Sequence, residues 1–381
     1  MLRPGNHNGH SNMPKVLIVQ PSCPAYRRGF FEALARKLDF LLICSTASAD
    51  GAKSDIANLA CPVELVDVYQ LGGRIAWQKG VVKRVLRERP KVLVVNGNPR
   101  YVSTVAAIAV ARLKGTPVVW WGHAMSSTSR PWRAFLRKRL MHAANRLFLY
   151  YPEETELLPA SLRARVVGLD NSVDTSNSLR IYDQITASDV EQFRIRQGLG
   201  DDPLILTIGR LTKKAGVGLL LEALHKLGAG NSRTRLAVLG GGAGMEPLKA
   251  RADELGLSDR VFFVGPVYDE AQIGLWMRAS KLFVYGGAVG LSLIHAFCYA
   301  LPAIISRPLT GHMPEALLFK EGAYGATFEQ GDAGSLAAVL HEQLAHEDNL
   351  QAMGLAAQKL VRQRLSQEKM ADNFVRGLPG A

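Results

Sequence analysis

The chain has 381 residues, of which 48% are hydrophobic and 21% charged; this length predicts two α/β domains of roughly 100–200 residues, each with its own core. Its longest apolar runs, such as 105–113, fall short of the ~20 residues of a membrane-spanning helix, and its four scattered cysteines lack the spacing of a metal site or a disulfide framework. The net charge of +13 arises in residues 1–180, where 26 Lys+Arg stand against 12 Asp+Glu, so an anionic partner is expected for that half.

The first half of the chain predicts a lead-in and one domain. Residues 1–13, rich in Gly, Asn and His, are expected to be a disordered lead-in without the apolar core of a signal peptide. Residues 14–178 predict an N-terminal Rossmann-like domain, in which short apolar strands separated by helices are typical of a parallel sheet covered on both faces. The predicted strands are 15–19, 40–44, 91–95, 117–121, 146–150 and 164–167, and the predicted helices are 30–38, 81–89, 104–114 and 131–145.

The second half repeats this pattern. Residues 179–200 are polar and predict a linker, and 201–364 predict a C-terminal Rossmann-like domain. Its predicted strands are 204–208, 235–239, 261–264, 281–285 and 302–306, and its predicted helices are 217–226, 245–255, 270–279 and 291–300. Residues 365–381 predict a C-terminal helix that could pack back on the first domain. Because such sheets bind ligands at the carboxyl ends of their strands, we expect a ligand in a cleft between the two domains.

The densest signal for a binding site is 286–304 (GGAVGLSLIHAFCYALPAI). Glycines, among them Gly287 and Gly290, allow close approach of the backbone to a ligand. A helix that starts near Leu291 offers unpaired N–H groups to an anion, with Ser292 in its first turn and His295 one turn further on. The alternative is a glycine-rich turn beside a core histidine.

A second signal lies at 204–223, where Gly209 and Arg210 follow a strand and Lys213 and Lys214 come soon after. Arginine binds phosphate oxygens with a two-pronged fork and lysine acts as a mobile point charge, so together they could hold a diphosphate. A solvated basic loop is an equally good interpretation of these residues alone.

Three weaker signals lie in the first domain. His123 follows a strand and a glycine turn. It either points toward the expected cleft or has a structural role. Tyr26, Arg27 and Arg28 open the first helix and could bind a phosphate or a sugar. The segment 130–146 is a basic amphipathic helix that either lies on an anionic membrane, with the basic residues of 79–89, or packs on the core with a solvated basic face.

These residues resemble glycosyltransferase family 4, which are retaining enzymes of the GT-B fold. The matching runs are IGRL at 208–211, LGGGAGMEP at 239–247, LSDRVFFVG at 257–265, the run 290–302, and NSVDT at 171–175. The resemblance implies that the C-terminal domain holds a nucleotide sugar, with Arg210 and a nearby lysine on the diphosphate. It implies further donor contacts by Gly209, Lys213, Gly241, Gly287, Gly290, Leu291, Ser292 and His295, and a contact of His123 with the donor sugar. No metal and no cofactor beyond the nucleotide-sugar co-substrate are implied.

The sequence departs from this family at three positions. Family members carry two glutamates eight residues apart, where this chain has Gly287 and His295, and a lysine directly before a glycine, where it has Ala215. His295 could still bond ribose hydroxyls, and Lys213 or Lys214 could reach the diphosphate.

The leading hypothesis is therefore a metal-independent glycosyltransferase at the cytoplasmic membrane face, acting on a lipid-linked or glycan acceptor at an anionic membrane surface. A degenerate member that binds a sugar nucleotide without turnover is the main alternative. A sugar-nucleotide epimerase or hydrolase would need cleft carboxylates, for which Glu153 and Glu154 are candidates. Nucleic-acid binding is disfavoured because the basic half carries no recognised nucleic-acid-binding motif.

Overall fold

The computed structural model describes residues 16–49, 51–57, 59–72, 75–124, 131–227 and 233–380, and for 131–133 the backbone alone. The predicted lead-in 1–13 lies outside these residues. The chain forms two compact units. The first contains the described residues up to Leu149, Thr155–Gly168 and the residues from Ala371 onward, and the second contains Tyr150–Glu154 and Leu169–Met370.

The first unit is built on a parallel sheet in which seven strands are described. The strands of the whole unit, including the two outside this sheet, are β1 Val16–Val19, β2 Phe40–Cys44, β3 Val63–Leu65, β4 Val68–Leu71, β5 Ile75–Gln78, β6 Val92–Asn96, β7 Val118–Trp121, β8 Arg146–Leu149 and β9 Val166–Gly168. Its helices are α1 Ala25–Ala35, α2 Val81–Glu88, α3 Val102–Leu113, α4 Pro131–Ala143 and α5 Ala160–Arg163. The sheet order is β3-β2-β1-β6-β7-β8-β9, and β4 and β5 form a separate antiparallel hairpin.

Two adjacent tryptophans show that this sheet is covered on both faces. Trp120 packs into the core formed with α2, α3 and α4. Trp121 points to the opposite face, where its ring meets Phe30 of α1 edge-on at 5.4 Å. Side chains alternate along a strand, so a strand with both positions buried lies inside a two-sided sheet.

The second unit repeats the architecture. Its strands are β10 Leu204–Ile208, β11 Arg235–Leu239, β12 Val261–Gly265, β13 Leu282–Tyr285, β14 Ala303–Arg307 and β15 Gly325–Glu329. Its helices are α6 Thr175–Gln184, α7 Ala187–Arg196, α8 Val217–Lys226, α9 Met245–Glu254, α10 Glu270–Ala279, α11 Leu291–Cys298, α12 Ala333–Leu344 and α13 Glu347–Arg364. Among the described residues the strands run parallel in the order β12-β11-β10-β13-β14-β15, with a hydrophobic core on each face.

The last helix, α14 Gln367–Gly377, begins in the second unit and ends in the first. The Phe374 ring lies 4.9 Å from Phe148 and 5.6 Å from Trp121, centroid to centroid, in edge-on contacts. Lys37 forms an ion pair with Asp372 at 3.0 Å. The α/β fold class with two Rossmann-like parallel sheets is confirmed.

The structure differs from the sequence prediction in three segments. The segment 179–200, predicted as a linker, contains most of α6 and all of α7. Ile181 and Phe193 are buried, and Phe193 meets Trp276 edge-on at 4.9 Å. One apolar residue per turn is thus enough to anchor a polar helix on the core. Helix α1 starts at Ala25, because Pro24 holds the extended N-cap position. The sequence reading missed β3, the β4–β5 hairpin, and β15, α12 and α13, whereas α14 lies within the helix predicted at 365–381.

Candidate functional site

The strand order of the second sheet creates a switch point between β10 and β13. From β10 the chain continues to β11 and β12 on one side, and from β13 to β14 and β15 on the other. Crevices of this type, outside the carboxyl ends of parallel strands, are where open α/β sheets bind ligands. The segments that leave the sheet here are 209–216, after β10, and 286–290, after β13.

These two segments lie backbone against backbone. A Cβ on Gly287 would stand 1.9 Å from the carbonyl oxygen of Lys214, and one on Gly286 would stand 2.3 Å from that of Gly216. The Ala288 N–H donates to the Lys214 carbonyl at 3.3 Å. The loop that carries the lysines is therefore joined directly to the glycine loop that precedes α11.

A third glycine segment, 240–244 after β11, packs on the first in the same way. A Cβ on Gly240 would stand 1.9 Å from the Gly209 carbonyl oxygen. The Leu211 N–H donates to the Gly241 carbonyl at 2.9 Å, and Gly241 itself lies against Pro266. Three loops thus form one surface of closely packed main chain at the carboxyl edge of β10, β11 and β13.

Three cations stand on this surface. Arg210, Lys213 and Lys214 are exposed, and the part of the chain that the structure describes offers none of them an acidic partner. Their charge is therefore available to an anion, because no existing ion pair has to break before the anion binds.

The start of α11 adds hydrogen-bond donors to the same edge. Gly290 is its N-cap and no side chain caps it. The backbone N–H groups of Gly290, Leu291 and Ser292 find no acceptor among the described residues. Free N–H groups and the positive end of the helix dipole favour an anion, so the helix start adds a second kind of anion-binding group to the edge that carries the three cations.

His312, which the sequence reading passed over, clamps the glycine loop. Its Nδ1 accepts from the Val289 N–H at 3.0 Å, and its Nε2 donates to the Ser306 carbonyl at 2.7 Å. Burial lowers the pKa of His312, because it disfavours the charged ring. A lone histidine in a turn gives no sequence signal of this role.

His295, which the resemblance assigns to the donor, is paired with a carboxylate through one ring nitrogen. Its Nε2 donates to a carboxylate oxygen of Glu270 at 2.8 Å, and Ser178 and Tyr299 donate to the same oxygen at 2.6 and 2.7 Å. Burial alone would raise the pKa of Glu270, but these bonds outweigh it and lower the pKa below its usual range. His295 is thus already paired, because α10 brings Glu270 beside α11.

A buried carboxylate, that of Glu315, lies beside the start of α11. Glu315 accepts from the side-chain amide of Asn171 at 3.0 Å, and a Cβ on Gly290 would stand 3.7 Å from its other oxygen. Asn171 also receives the Tyr151 hydroxyl on its carbonyl at 2.5 Å. The NSVDT segment and the turn after β14 are therefore held together behind the glycine loop.

Glu153 and Glu154, the candidate carboxylates for proton transfer, both have structural partners. Glu153 forms a two-pronged ion pair with Arg364 at 2.6 and 2.7 Å. Glu154 accepts from the backbone N–H groups of Tyr150 and Tyr151. Neither carboxylate therefore supports the epimerase or hydrolase hypothesis.

In the first unit, His123 lies next to two cationic side chains. Burial and the charges of Arg137 and Arg27 lower the pKa of His123 to about 4, so the imidazole is neutral near neutral pH. The Arg27 guanidinium is buried over the Trp121 ring at 5.1 Å and near the Tyr26 ring at 5.4 Å. Tyr26, Arg27 and His123 are thus brought together at the carboxyl edge of the first sheet.

Arg28 faces another way. Its guanidinium binds Glu32 at 2.9 Å and the Ala57 carbonyl at 2.7 Å, and it lies 3.6 Å from Asp55. Its charge is balanced by carboxylates, which weakens its prediction as a phosphate ligand.

Helix α4 packs on the core through Leu140 and Met141. Its opposite side exposes Phe135, on which the Arg139 guanidinium stacks at 5.1 Å. This arrangement matches a core-packed helix with a solvated basic face.

Among the residues described, no group of three His, Cys, Asp or Glu side chains is arranged to hold a metal ion. No helix found there combines the length and the apolar character that crossing a membrane requires.

Known proteins resemble this chain in sequence and in fold. Residues 189–360 match the family described as Glycosyl transferases group 1. A D-inositol 3-phosphate glycosyltransferase of Mycolicibacterium smegmatis is 27% identical over 378 residues, covering 91% of this chain and 81% of that protein. A GDP-mannose-dependent alpha-(1-6)-phosphatidylinositol monomannoside mannosyltransferase of the same organism is 28% identical over 176 residues, which is 43% of this chain and 44% of that protein. The chain thus matches less than half the length of this second relative.

Among solved structures, the Anabaena protein HepE in complex with UDP has a TM-score of 0.72 at 15% identity, covering 95% of this chain and 98% of that one. At this identity the likeness is one of fold.

Proposed function

We propose that this chain, which matches the group 1 glycosyl transferases over residues 189–360 and resembles a glycosyltransferase along most of its length, moves a sugar, with retention, from a nucleotide-sugar donor to an acceptor. The observation that carries the donor proposal is the main-chain surface at the switch point of the second sheet. There Arg210, Lys213 and Lys214 stand beside the uncapped start of α11. A diphosphate has the charge and the oxygen acceptors that such a surface binds.

In this proposal the cations stabilise the leaving group without a metal ion. Arg210 holds two diphosphate oxygens, and Lys214 and the start of α11 neutralise the charge that grows as the bond from the sugar carbon to the phosphate oxygen breaks. The acceptor oxygen bonds to the same face of that carbon, and its proton passes to an oxygen of the leaving diphosphate. The contact of His123 with the donor sugar remains a prediction, and the lowered pKa means that it would act as a neutral ring.

The proposed acceptor is a lipid-linked or cell-surface glycan precursor at the cytoplasmic face of a membrane. The excess of cations in residues 1–180 supports an anionic surface as the place of work. One relative is named for transfer to a phosphatidylinositol mannoside, which supports a lipid-borne acceptor.

The test is a calorimetric titration of the full chain with UDP, GDP, TDP and their sugar conjugates, followed by incubation with a lipid-linked sugar acceptor. We expect one nucleotide to bind and to be released from its sugar conjugate only when acceptor is present. No binding of any nucleotide would refute the proposal.

Arg210→Ala is expected to weaken binding of that nucleotide by about 10- to 100-fold, the usual worth of a charge-assisted hydrogen bond. Arg196→Ala, which removes an exposed arginine at the end of α7, is the matched control and should leave the affinity unchanged. Equal losses in both variants would show that Arg210 acts through net charge and does not contact the diphosphate.

Binding without release would favour the alternative, a family member that binds donor and does not turn it over. The observation behind this alternative is that position 287 has no room for the family's first glutamate, because a Cβ there would collide with the Lys214 carbonyl.

A further inference from the structure

The β4–β5 hairpin of the first unit has two faces of opposite character. The register pairs Tyr69 with Trp77 and Leu71 with Ile75, so these four side chains share one face. All four are exposed. Ala76, on the other face, is fully buried. We call the exposed set the outer hairpin face.

The buried side of the hairpin is fixed to the carboxyl edge of the first sheet. The Gln78 side-chain amide donates at 2.9 Å to the carbonyl of Gln20, which directly follows β1. The Gln78 N–H donates to the Ser103 hydroxyl at 3.0 Å, and the Ala76 N–H to the Arg100 carbonyl at 2.8 Å, both beyond the end of β6. The outer hairpin face is therefore held outward by specific bonds.

Cations without a carboxylate partner among the described residues follow this hairpin directly along the chain, at the end of β5 and in α2. In the described residues 63–72 and 75–89, Glu64 and Glu88 both bind Arg84, which leaves Asp67 as the remaining carboxylate. The cations left over are Lys79, Lys83, Arg87 and Arg89, all exposed. An apolar and aromatic face beside positive charge complements the interface of an anionic bilayer, where tryptophan and tyrosine sit at headgroup level.

We propose that the outer hairpin face docks on an anionic lipid bilayer. Leu71 and Ile75 enter the acyl boundary, Tyr69 and Trp77 lie among the headgroups, and the lysines and arginines that follow β5 in the chain pair with lipid phosphates. This proposal rests on the proposed function, since it brings the carboxyl edge of the first sheet to the surface that presents a lipid-linked acceptor. A second copy of the chain is a poorer occupant, because two such faces would set like charges against each other.

The test is co-sedimentation of the full chain with vesicles of equal parts phosphatidylcholine and phosphatidylglycerol, and with vesicles of phosphatidylcholine alone. We expect binding to the anionic vesicles that falls several-fold between about 0.05 and 0.5 M salt. Leu71→Ser should weaken binding by about tenfold, the worth of one buried aliphatic side chain. Ile195→Ser is the control: Ile195 is 71% exposed on α7, against 73% for Leu71.

Trp77 supplies a direct readout of insertion. Its fluorescence should be quenched by brominated lipids in anionic vesicles, and the quenching should disappear in Trp77→Phe. Equal vesicle binding by wild type, Leu71→Ser and Ile195→Ser would overturn the proposal, as would self-association without lipid that Leu71→Ser abolishes. Nucleotide titration of the same variants distinguishes the two proposals. Loss of vesicle binding with unchanged nucleotide binding tests only the docking role of the hairpin and leaves the donor proposal unaffected.

Discussion

At the scale of single residues, two histidines are held neutral by burial. His123 lies near the charges of Arg27 and Arg137, and His312 accepts a backbone N–H on Nδ1. Above about pH 6.5 a histidine is neutral in both the folded and the unfolded chain and adds no pH dependence. Below that pH the histidine of the unfolded chain is protonated, whereas the histidine of the folded chain stays neutral. The free energy of unfolding therefore decreases as the pH decreases.

For His123 this loss should extend from pH 6.5 to about pH 4 and amount to at most about 3 kcal/mol. We expect His123→Gln to remove that part of the slope, measured as the difference in unfolding free energy between variant and wild type in urea titrations across this range. His142→Gln, at an exposed histidine of α4, should keep the wild-type slope. A His123→Gln profile that runs parallel to wild type would contradict the assignment.

At the scale of elements, the site depends on loops that pack closely, main chain against main chain. Gly286 and Gly287 lie against the 209–216 loop at distances that leave no space for a Cβ. Our proposal that the start of α11 and the lysine loop bind one diphosphate depends on this contact. The same contact leaves no room for a side chain at position 287, where one would push the two loops apart.

Gly287→Ala is therefore expected to destabilise the second unit by about 1–3 kcal/mol, as overpacking does, and to weaken nucleotide binding. Gly218→Ala is the matched control, because Gly218 lies within α8 and its Cβ would meet nothing closer than 4.0 Å. That substitution should stabilise by about 0.5–1 kcal/mol. Urea unfolding and nucleotide titration measure both effects, and normal binding by Gly287→Ala would show that the loops can separate at no cost.

At the scale of the whole molecule, the chain ends in the unit where it began. Residues from Ala371 onward belong to the first unit, and Phe374 joins an aromatic cluster with Phe30, Trp121 and Phe148. The core of the first unit therefore includes a side chain of the last helix.

We expect Phe374→Ala to destabilise the first unit by about 3–5 kcal/mol, the usual cost of deleting a buried phenyl ring. Hydrogen exchange should quicken in β7 and β8 and stay unchanged in β10 and β11. Leu355→Ala, at a half-exposed position of α13, should change neither. Equal loss of protection in both units would mean that they unfold together and that the effect is not confined to the first.

Local pattern was enough for much of this molecule. Strand 204–208 and helices 217–226 and 270–279 have the bounds that the sequence predicted. For the strand, the reason is that a continuous apolar run between turns is most stable as a buried parallel strand. The α/β class and the two parallel sheets were likewise readable, since they depend on the order of such segments, and short runs such as IGRL carried the resemblance to glycosyltransferases that the match over residues 189–360 supports.

Contacts between distant segments were decided by the tertiary structure. His295 and Glu270 are 25 residues apart and meet at 2.8 Å only because α10 and α11 are neighbours. The polar segment 179–200 became helix because partners elsewhere in the chain cover Ile181 and Phe193. The outer hairpin face exists because the register of β4 with β5 sorts alternate residues to opposite sides. A sequence specifies which residues prefer burial, and packing decides which of them meet.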